Sequence, residues 1–387
     1  MRLNHLLITD YRNLGSIELD FPRDVALVVG GNAQGKSNLL EAIYLLATMR
    51  STRVETDAQL IRRDAMTDVL PAARVVGEVS TANGPLKIEV TIVARPGSVG
   101  PIATKTVKVN GVARRLSDAT GRLTAVLFTA EDLEMIGGSP SLRRRYLDLT
   151  LTQIDPKYSR ARSHFERVLT QRNSLLKRIR EGLASTSELE FWDEQLATDG
   201  AVLLHTRAGA VNRIAELARN AHADLAPGEV LVIEYQPKLD RAGKLAEAGE
   251  EDIREAYLRA LSASVARDTG AGMTTQGPHR DDITFTLDGL GAAGFASRAQ
   301  QRTIALSLRL AETQLMRERR GESPVLLLDD ILSEMDAARR RSVLGALGVG
   351  EQMLVTGTDW DRFPAEFVSA ASLLEVESGS VRPTAQN

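Results

Sequence analysis

Apolar and polar positions alternate in two rhythms along this chain, and the rhythm changes several times. Residues 3–8, 17–21 and 25–29 read as strands. The last is a short apolar run ending in Gly30, as a buried strand feeding a loop should. From Lys36 to about Met49, Leu39, Leu40, Ile43, Leu46 and Ala47 recur at helical spacing. Alternation returns over 73–128, in runs at 75–79, 86–93 and 106–109 broken at Asn83-Gly84 and Asn110-Gly111. Those dipeptides are hairpin signals, so an antiparallel sub-sheet is predicted, with 126–129 returning to a parallel core. Residues 140–225 read as helical. Pro156 opens one helix with Asp155 as its cap, and a second spans about 187–223. A strand and loop over 226–250 and a helix near 250–267 lead to a glycine-rich turn at 270–277. Strand 283–287, helix 298–318, strand 325–329, helix 336–347 and strand 353–356 then alternate as parallel sheets do. The tail from Ser378 is expected to be disordered.

The chain thus starts α/β, turns helical and returns to α/β. The simplest organisation is one sheet split in sequence around a helical insertion, with boundaries at 1–135, 136–270 and 271–387.

Composition narrows the picture. Of 387 residues, 43% are apolar and 26% charged, which allows one large or two linked globular domains. The net charge of −3 supplies no global attraction to nucleic acid, so a DNA site must be a local patch. With no cysteine, disulfides, thiolate metal sites and cysteine nucleophiles are excluded. The N-terminal apolar stretch is too short for a secretion signal, and nothing approaches the ~20 apolar residues of a membrane span. A cytoplasmic protein without a membrane partner is expected. Aromatics are only 4%, so base-stacking platforms are few.

Gly30-Gly31-Asn32-Ala33-Gln34-Gly35-Lys36-Ser37 matches the P-loop pattern in its required strand–loop–helix context. Its glycines let backbone N–H groups face phosphates at a helix N-terminus. Lys36 is expected to reach the β- and γ-phosphates of ATP, and the Ser37 hydroxyl to ligate Mg²⁺. Pro324-Val325-Leu326-Leu327-Leu328-Asp329-Asp330 reads as a Walker B strand. Asp329 would hold the metal through water, and Asp330 would orient or deprotonate the attacking water. A solvated acidic turn after a core strand is the plain alternative.

Ser297-Arg298-Ala299-Gln300-Gln301-Arg302 opens the helix before Walker B. Serine is an ordinary helix cap, but this spacing resembles the signature segment of ABC-type ATPase heads. In that family the serine grips the γ-phosphate bound to the other subunit. Ala299 stands where the family carries glycine, so its methyl can crowd phosphate approach. Ser333-Glu334-Met335-Asp336 sits where such heads carry the dimer-crossing D-loop. Thr356-Gly357-Thr358, without a histidine, occupies the switch position.

Between Ser141 and Arg180 stand 11 basic residues (Arg143, Arg144, Arg145, Lys157, Arg160, Arg162, Arg167, Arg172, Lys177, Arg178 and Arg180) against 3 acidic ones (Asp148, Asp155 and Glu166). Clustered Lys and Arg suit sequence-tolerant phosphate contacts, although a solvated basic helix face has the same composition. Arg12 and Arg53 are further candidates for phosphate contacts. His279-Arg280-Asp281-Asp282 has one histidine, too few for tight metal ligation, and reads equally as a buried salt-bridge turn.

Over almost its whole length the chain resembles the RecF family of bacterial DNA replication and repair proteins. The resemblance lies in Asp10-Tyr11-Arg12-Asn13, Asn38-Leu39-Leu40-Glu41-Ala42-Ile43-Tyr44 and Phe128-Thr129-Ala130-Glu131-Asp132-Leu133. It continues in Gly138-Ser139-Pro140-Ser141-Leu142-Arg143-Arg144-Arg145-Tyr146-Leu147-Asp148, Gln171-Arg172-Asn173-Ser174-Leu175-Leu176-Lys177 and Gly277-Pro278-His279-Arg280-Asp281-Asp282. Ala130 replaces a usual proline. The resemblance implies an ABC-type P-loop head with a mixed sheet, an antiparallel sub-sheet and a helical insertion domain. It also implies an ATP-dependent homodimer that binds DNA, hydrolyses ATP slowly, and works with RecR, and through it RecO, in loading RecA. The competing readings are a chromosome-organising ATPase of the SMC or Rad50 kind, which needs longer coiled-coil arms, and a P-loop kinase or nuclease.

Overall fold

The computed structural model describes residues 1–97, 100–239, 246–332, 340, 345 and 351–384. Contacts divide the chain into two compact units: Met1–Asp132 with Glu312–Asn387, and Leu133–Ala311.

In the first unit, β1 (Arg2–Tyr11) and β2 (Leu14–Asp20) pair antiparallel, and β3 (Val25–Val29) follows. The helix Lys36–Thr48 leaves the loop after β3. β4 (Ala72–Thr81), β5 (Gly84–Arg95), β6 (Ile102–Val109) and β7 (Val112–Arg114) form an antiparallel meander. Its sheet runs β2-β1-β4-β5-β6-β7, so the first two strands belong to the antiparallel sheet, which the alternation pattern had not assigned. Asn110 and Gly111 sit at φ 50° and 78° between the paired Val109 and Val112. This is the type I′ turn their side chains favour. β8 (Ala125–Phe128) is fully buried and lies parallel to the strand that carries the acids, as its apolar run requires.

The second unit is mostly helical. Pro140–Ile154 leads into Pro156–Arg180, where the Asp155 carboxylate caps the N–H groups of Lys157 and Tyr158. The longest helix, Leu189–Leu225, packs along it, and Glu250–Ala271 packs on both. At 37 residues it is about 55 Å long. β9 (Leu231–Gln236), β10 (Asp282–Leu287) and β11 (Leu290–Gly291) form a separate antiparallel sheet. The expectation that 283–287 joins the β/α alternation is therefore corrected. Its partner is β9, with Phe285 opposite Ile233, and Asp288-Gly289 supplies the turn to β11 at φ 50° and 81°. The helix Arg298–Arg320 ends the insertion.

Back in the first unit, β12 (Val325–Leu328) and β13 (Met353–Gly357) complete the parallel core. β14 (Ser372–Glu377) and β15 (Ser380–Pro383) form an edge hairpin, giving the order β15-β14-β3-β13-β12-β8. The tail expected to be disordered is thus ordered to Pro383. Ser378 and Gly379, at φ 48° and 77°, make a type I′ turn. Leu374 and Val376 bury one face of the hairpin. The proposed D-loop at Ser333–Asp336 lies outside the described residues, as does the helix expected at 336–347 apart from Arg340 and Gly345, which are helical.

The helix Lys36–Thr48 touches strands of both sheets of its unit. Leu39, Leu40, Ile43 and Leu46 are fully buried, each contributing about 2 kcal/mol of transfer free energy. Gly77 of β4 admits Leu46, since a Cβ there would lie 2.7 Å from its Cδ1. The loop before this helix is consequently anchored from behind by a packed core.

Candidate functional site

β3 ends between β13 and β14, in the middle of the parallel sheet, and the chain turns at Gly30 to Gly35. Ala33 and Gly35 take φ 63° and 124°. Two glycines here are required by neighbours: a Cβ on Gly30 would overlap the Val376 carbonyl oxygen, and one on Gly35 would meet Leu14 Cδ2 at 2.8 Å. Gly31 meets only the Gln34 side chain, at 3.6 Å. The first turn of the helix leaves its backbone N–H groups without intrahelical acceptors, and no side chain caps them. A helix N-terminus in this condition suits an anion.

Lys36 lies folded over the loop, its Nζ donating to the Gly30 carbonyl at 2.6 Å and the Gly31 carbonyl at 2.9 Å. Ser37 Oγ donates to Asp329 Oδ1 at 2.8 Å. That bond joins the helix to the end of β12 and leaves the serine lone pairs for a cation. A serine hydroxyl beside a carboxylate is the hard-oxygen pair Mg²⁺ accepts, with phosphate and water oxygens completing its shell. Thr356, fully buried on β13, bonds both acids: its Oγ1 is 3.1 Å from Asp329 Oδ1 and accepts the Asp330 N–H at 2.8 Å. Asp330 has φ 55°, so the chain turns sharply where the second carboxylate leaves the strand.

Residues outside the P-loop pattern hold this loop in place. Asn13 Nδ2 donates to the Gln34 carbonyl at 3.0 Å, and Asn13 Oδ1 accepts from Asn38 at 2.8 Å. The Ser378-Gly379 turn reaches the same residue. Ser378 N–H donates to Gln34 Oε1 at 2.6 Å and Gly379 N–H to the Gln34 carbonyl at 3.0 Å. The signal for Asn13 was its place in Asp10-Tyr11-Arg12-Asn13. The signal for the turn was Ser-Gly between alternating runs. Arg12 Nε bonds the buried Glu41 carboxylate at 3.0 Å, which gives it an internal partner, whereas Arg53 is exposed.

Ser297 belongs to the second unit. It is exposed and forms a reciprocal cap with Gln300: Ser297 N–H donates to Gln300 Oε1 at 2.9 Å, and Gln300 N–H to Ser297 Oγ at 3.3 Å. Ala299, two residues along, is exposed.

The other quoted motifs of the second unit form a buried ionic core. Arg207 contacts Asp148 at 2.7 Å, Asp281 at 3.2 Å and the Pro278 carbonyl at 2.6 Å. Arg162 closes on Asp148 at 2.9 Å, and the Tyr158 and Tyr235 hydroxyls bond Asp148 and Asp281. Burial pushes the Asp148 carboxyl up, but Arg207 and Arg162 outweigh it and hold it below the usual range. Arg172, fully buried, spans Asp193 at 2.6 Å and Asp268 at 2.8 Å. His279 is desolvated and pushed down to about 4. The His279–Asp282 turn is therefore a structural ion-pair turn, one of the two readings its sequence allowed.

The basic segment shrinks as an external surface. Arg143 bonds Asp282, Arg144 the Asp281 carbonyl, Lys157 Glu250, Arg162 two acids, and Arg172 two more. Arg145, Arg160, Arg167, Lys177, Arg178 and Arg180 are exposed. Among the described residues, no helix is long and apolar enough to cross a membrane.

Residues 2–364 match the family model described as RecF/RecN/SMC N terminal domain. The DNA replication and repair protein RecF of Chloroflexus aurantiacus is 41% identical over 392 residues, covering 98% of this chain and 99% of the relative. That of Halalkalibacterium halodurans is 36% identical over 384 residues, covering 99% of each. A solved structure of the recombination mediator protein RecF with ATP, in the RecFOR pathway, superposes with TM-score 0.87 at 33% identity, covering 99% of this chain and 97% of that one. An Smc head bound to the C-winged helix domain of ScpA shares the fold, with TM-score 0.51 at 14% identity and coverage of 100% and 98%. With an ABC-type ATPase head built around the P-loop and a helical insertion, the chain belongs to the RecF family of DNA replication and repair proteins.

Proposed function

We propose that this protein is an ATP-gated DNA clamp that dimerises around nucleotide, hydrolyses it slowly, and acts with RecR, and through it RecO, to assist RecA loading in recombinational repair. The observation that carries the reading is the bond from Ser37 Oγ to Asp329, which joins the P-loop helix to the end of β12. In this reading the capped, exposed Ser297 is free to serve a partner's nucleotide. In this reading Lys36 leaves the carbonyls of Gly30 and Gly31 for the β- and γ-phosphates. Ser37 and Asp329 would hold Mg²⁺, which would neutralise developing phosphate charge. Asp330 orients the attacking water, and the partner's copy of Ser297 closes on the γ-phosphate. Aspartate is one methylene shorter than glutamate, consistent with a timer rather than a motor.

The candidate DNA surface is on the helix Pro156–Arg180. Arg160, Arg167 and Arg178 are separated by 7 and 11 residues, which returns them to one helix face over about 27 Å. A straight line of exposed guanidinium groups suits a phosphate backbone and carries no base preference.

Light scattering of the full chain tests the central claim. Monomers without nucleotide and dimers with a slowly hydrolysed ATP analogue are expected; monomers that persist at saturating nucleotide would sink it. Lys36→Met should abolish nucleotide binding, and Ser297→Arg should spare binding but block dimers. Affinity for gapped DNA should fall steeply with salt; no affinity at low salt removes the clamp.

A further inference from the structure

A buried histidine lies behind the Ser297 cap, connected to it through one carboxylate. His222, in the last turn of the helix Leu189–Leu225, is fully buried. Its Nε2 is 3.0 Å from Glu229 Oε2, and its Nδ1 is 3.2 Å from Ser307 Oγ on the helix Arg298–Arg320. The other Glu229 oxygen, Oε1, accepts from Gln300 Nε2 at 3.0 Å. Gln300 Oε1 in turn accepts the Ser297 N–H at 2.9 Å. A carboxylate only accepts, so the imidazole carries hydrogen on Nε2 in this arrangement. With Nε2 carrying the hydrogen, Nδ1 is an acceptor, and the single Ser307 hydroxyl hydrogen is shared between it and the Thr303 carbonyl one turn back, 2.8 Å away. His222 therefore bonds the helix directly at Ser307 and, through Glu229, at its first turn.

We infer that Glu229, held by His222, is a positioning residue for Ser297: it fixes the Gln300 side chain and so the attitude of the cap that meets the partner's triphosphate. The inference rests on the proposed dimer. A capping glutamine on an exposed turn would ordinarily rotate freely, losing about 1 kcal/mol or more of side-chain entropy when ordered. The charge-assisted bonds to Glu229 select one rotamer in advance. Dimerisation then needs no reordering of the serine turn. Glu229 is partly exposed, at 26%, so substitution there leaves no large cavity.

The arrangement makes an asymmetric prediction for two variants. Glu229→Ala removes both acceptors, leaving Gln300 unanchored and His222 Nε2 buried without a partner. Glu229→Gln retains a carbonyl for Gln300 and presents an NH₂ to His222. The imidazole meets it by shifting its hydrogen to Nδ1, which then donates to Ser307 Oγ. Glu229→Gln should therefore rescue what Glu229→Ala loses.

Three readouts on the full chain decide it: nucleotide binding to the monomer, analogue-driven dimerisation by light scattering, and amide hydrogen exchange over 296–303. For Glu229→Ala, binding to the monomer should stay within about twofold and dimer affinity should fall about tenfold. Exchange in the first turn should rise about tenfold, the effect of losing roughly 1.4 kcal/mol of local protection. Glu229→Gln should restore both to within about threefold of the parent. Unchanged exchange in Glu229→Ala, or equal defects in both variants, overturns the inference. Ser297→Arg separates the two levels. If it dimerises normally while Glu229→Ala still loosens the turn, the dimer reading fails and the clasp itself stands.

Discussion

The two units hold their polar groups by opposite means. In the first, Lys36, Ser37 and Asp329 gather at a loop edge, where Lys36 is held by two carbonyls of its own loop and Ser37 by one carboxylate. In the second, Arg172, Arg207, Asp148 and Asp268 lie inside the helical packing, bridged several ways. A site that must admit a triphosphate needs contacts it can exchange. A buried charge needs contacts it never gives up, because one unpaired charge costs more than a well-formed pair contributes. The quoted motifs divide along this line. The P-loop and Asn13 belong to the exchangeable set, while Arg172, Asp148 and Asp281 belong to the fixed one. A motif characteristic of a family is thus not, for that reason, a motif of its chemistry.

The largest test of the contrast is Arg172→Ala. It leaves Asp193 and Asp268 facing each other without their cation, at a cost of about 3–5 kcal/mol. Urea unfolding followed by helical circular dichroism should show this loss. Lys36→Ala should move the same midpoint by less than about 1 kcal/mol while removing nucleotide binding. If the two variants trade these effects, the division between exchangeable and fixed contacts is wrong.

Acid should separate the units next. Burial, with Arg280 and Arg144 nearby, pushes the His279 imidazole down to about 4, against smaller upward pulls from the Thr274 carbonyl and Asp268. Its ordinary value is near 6.5. Between those limits the unfolded chain takes up a proton that the folded chain refuses, so stability falls as pH drops from about 7 towards 4. The full effect is about 3 kcal/mol. Asp281, pushed up by burial despite Arg207, works in the opposite direction at the acid end of that window. Urea midpoints at pH 7 and pH 5 should therefore differ, and His279→Asn should flatten the difference. An undiminished slope in that variant assigns the proton elsewhere.

Much of both units was legible in the chain. The strand–loop–helix around Lys36, the cap at Asp155 and the Asn110-Gly111 turn follow from local rules, and local geometry realises them. Three things were not legible, for one reason: they depend on partners distant in sequence. β10 pairs with β9 across an intervening helix. Arg143, Arg144 and Arg172 count as surface charge until the Asp282 carboxylate, the Asp281 carbonyl and the Asp268 carboxylate, roughly 100 residues or more away, are in place. The end of the chain reads as a polar tail until β14 is seen beside β3. Glu229 and His222 carry no motif at all.

That edge hairpin gives the finest test, because it separates holding the loop from making it. Gln34 takes bonds from Asn13 on one side and from the Ser378-Gly379 turn on the other. Gly379 has φ 77°, and a Cβ there would overlap the Asn13 carbonyl oxygen. Gly379→Ala is thus strained twice, once by its backbone angle and once by the neighbour that it must push away. The displaced turn drops its two bonds to Gln34, each worth about 1 kcal/mol net, and disturbs Asn13 with them. ATP affinity should fall about tenfold. Asn13→Ala removes the bond to Gln34 from the other side, together with the bond from Asn38, and should cost about threefold. Neither change touches the second unit, so the urea midpoint of its helices should stay within about 0.5 kcal/mol. Titration with a fluorescent nucleotide, read beside that midpoint, distinguishes the outcomes. Affinity unchanged in Gly379→Ala would mean that the P-loop keeps its shape by its own backbone, and that the hairpin merely rests against it.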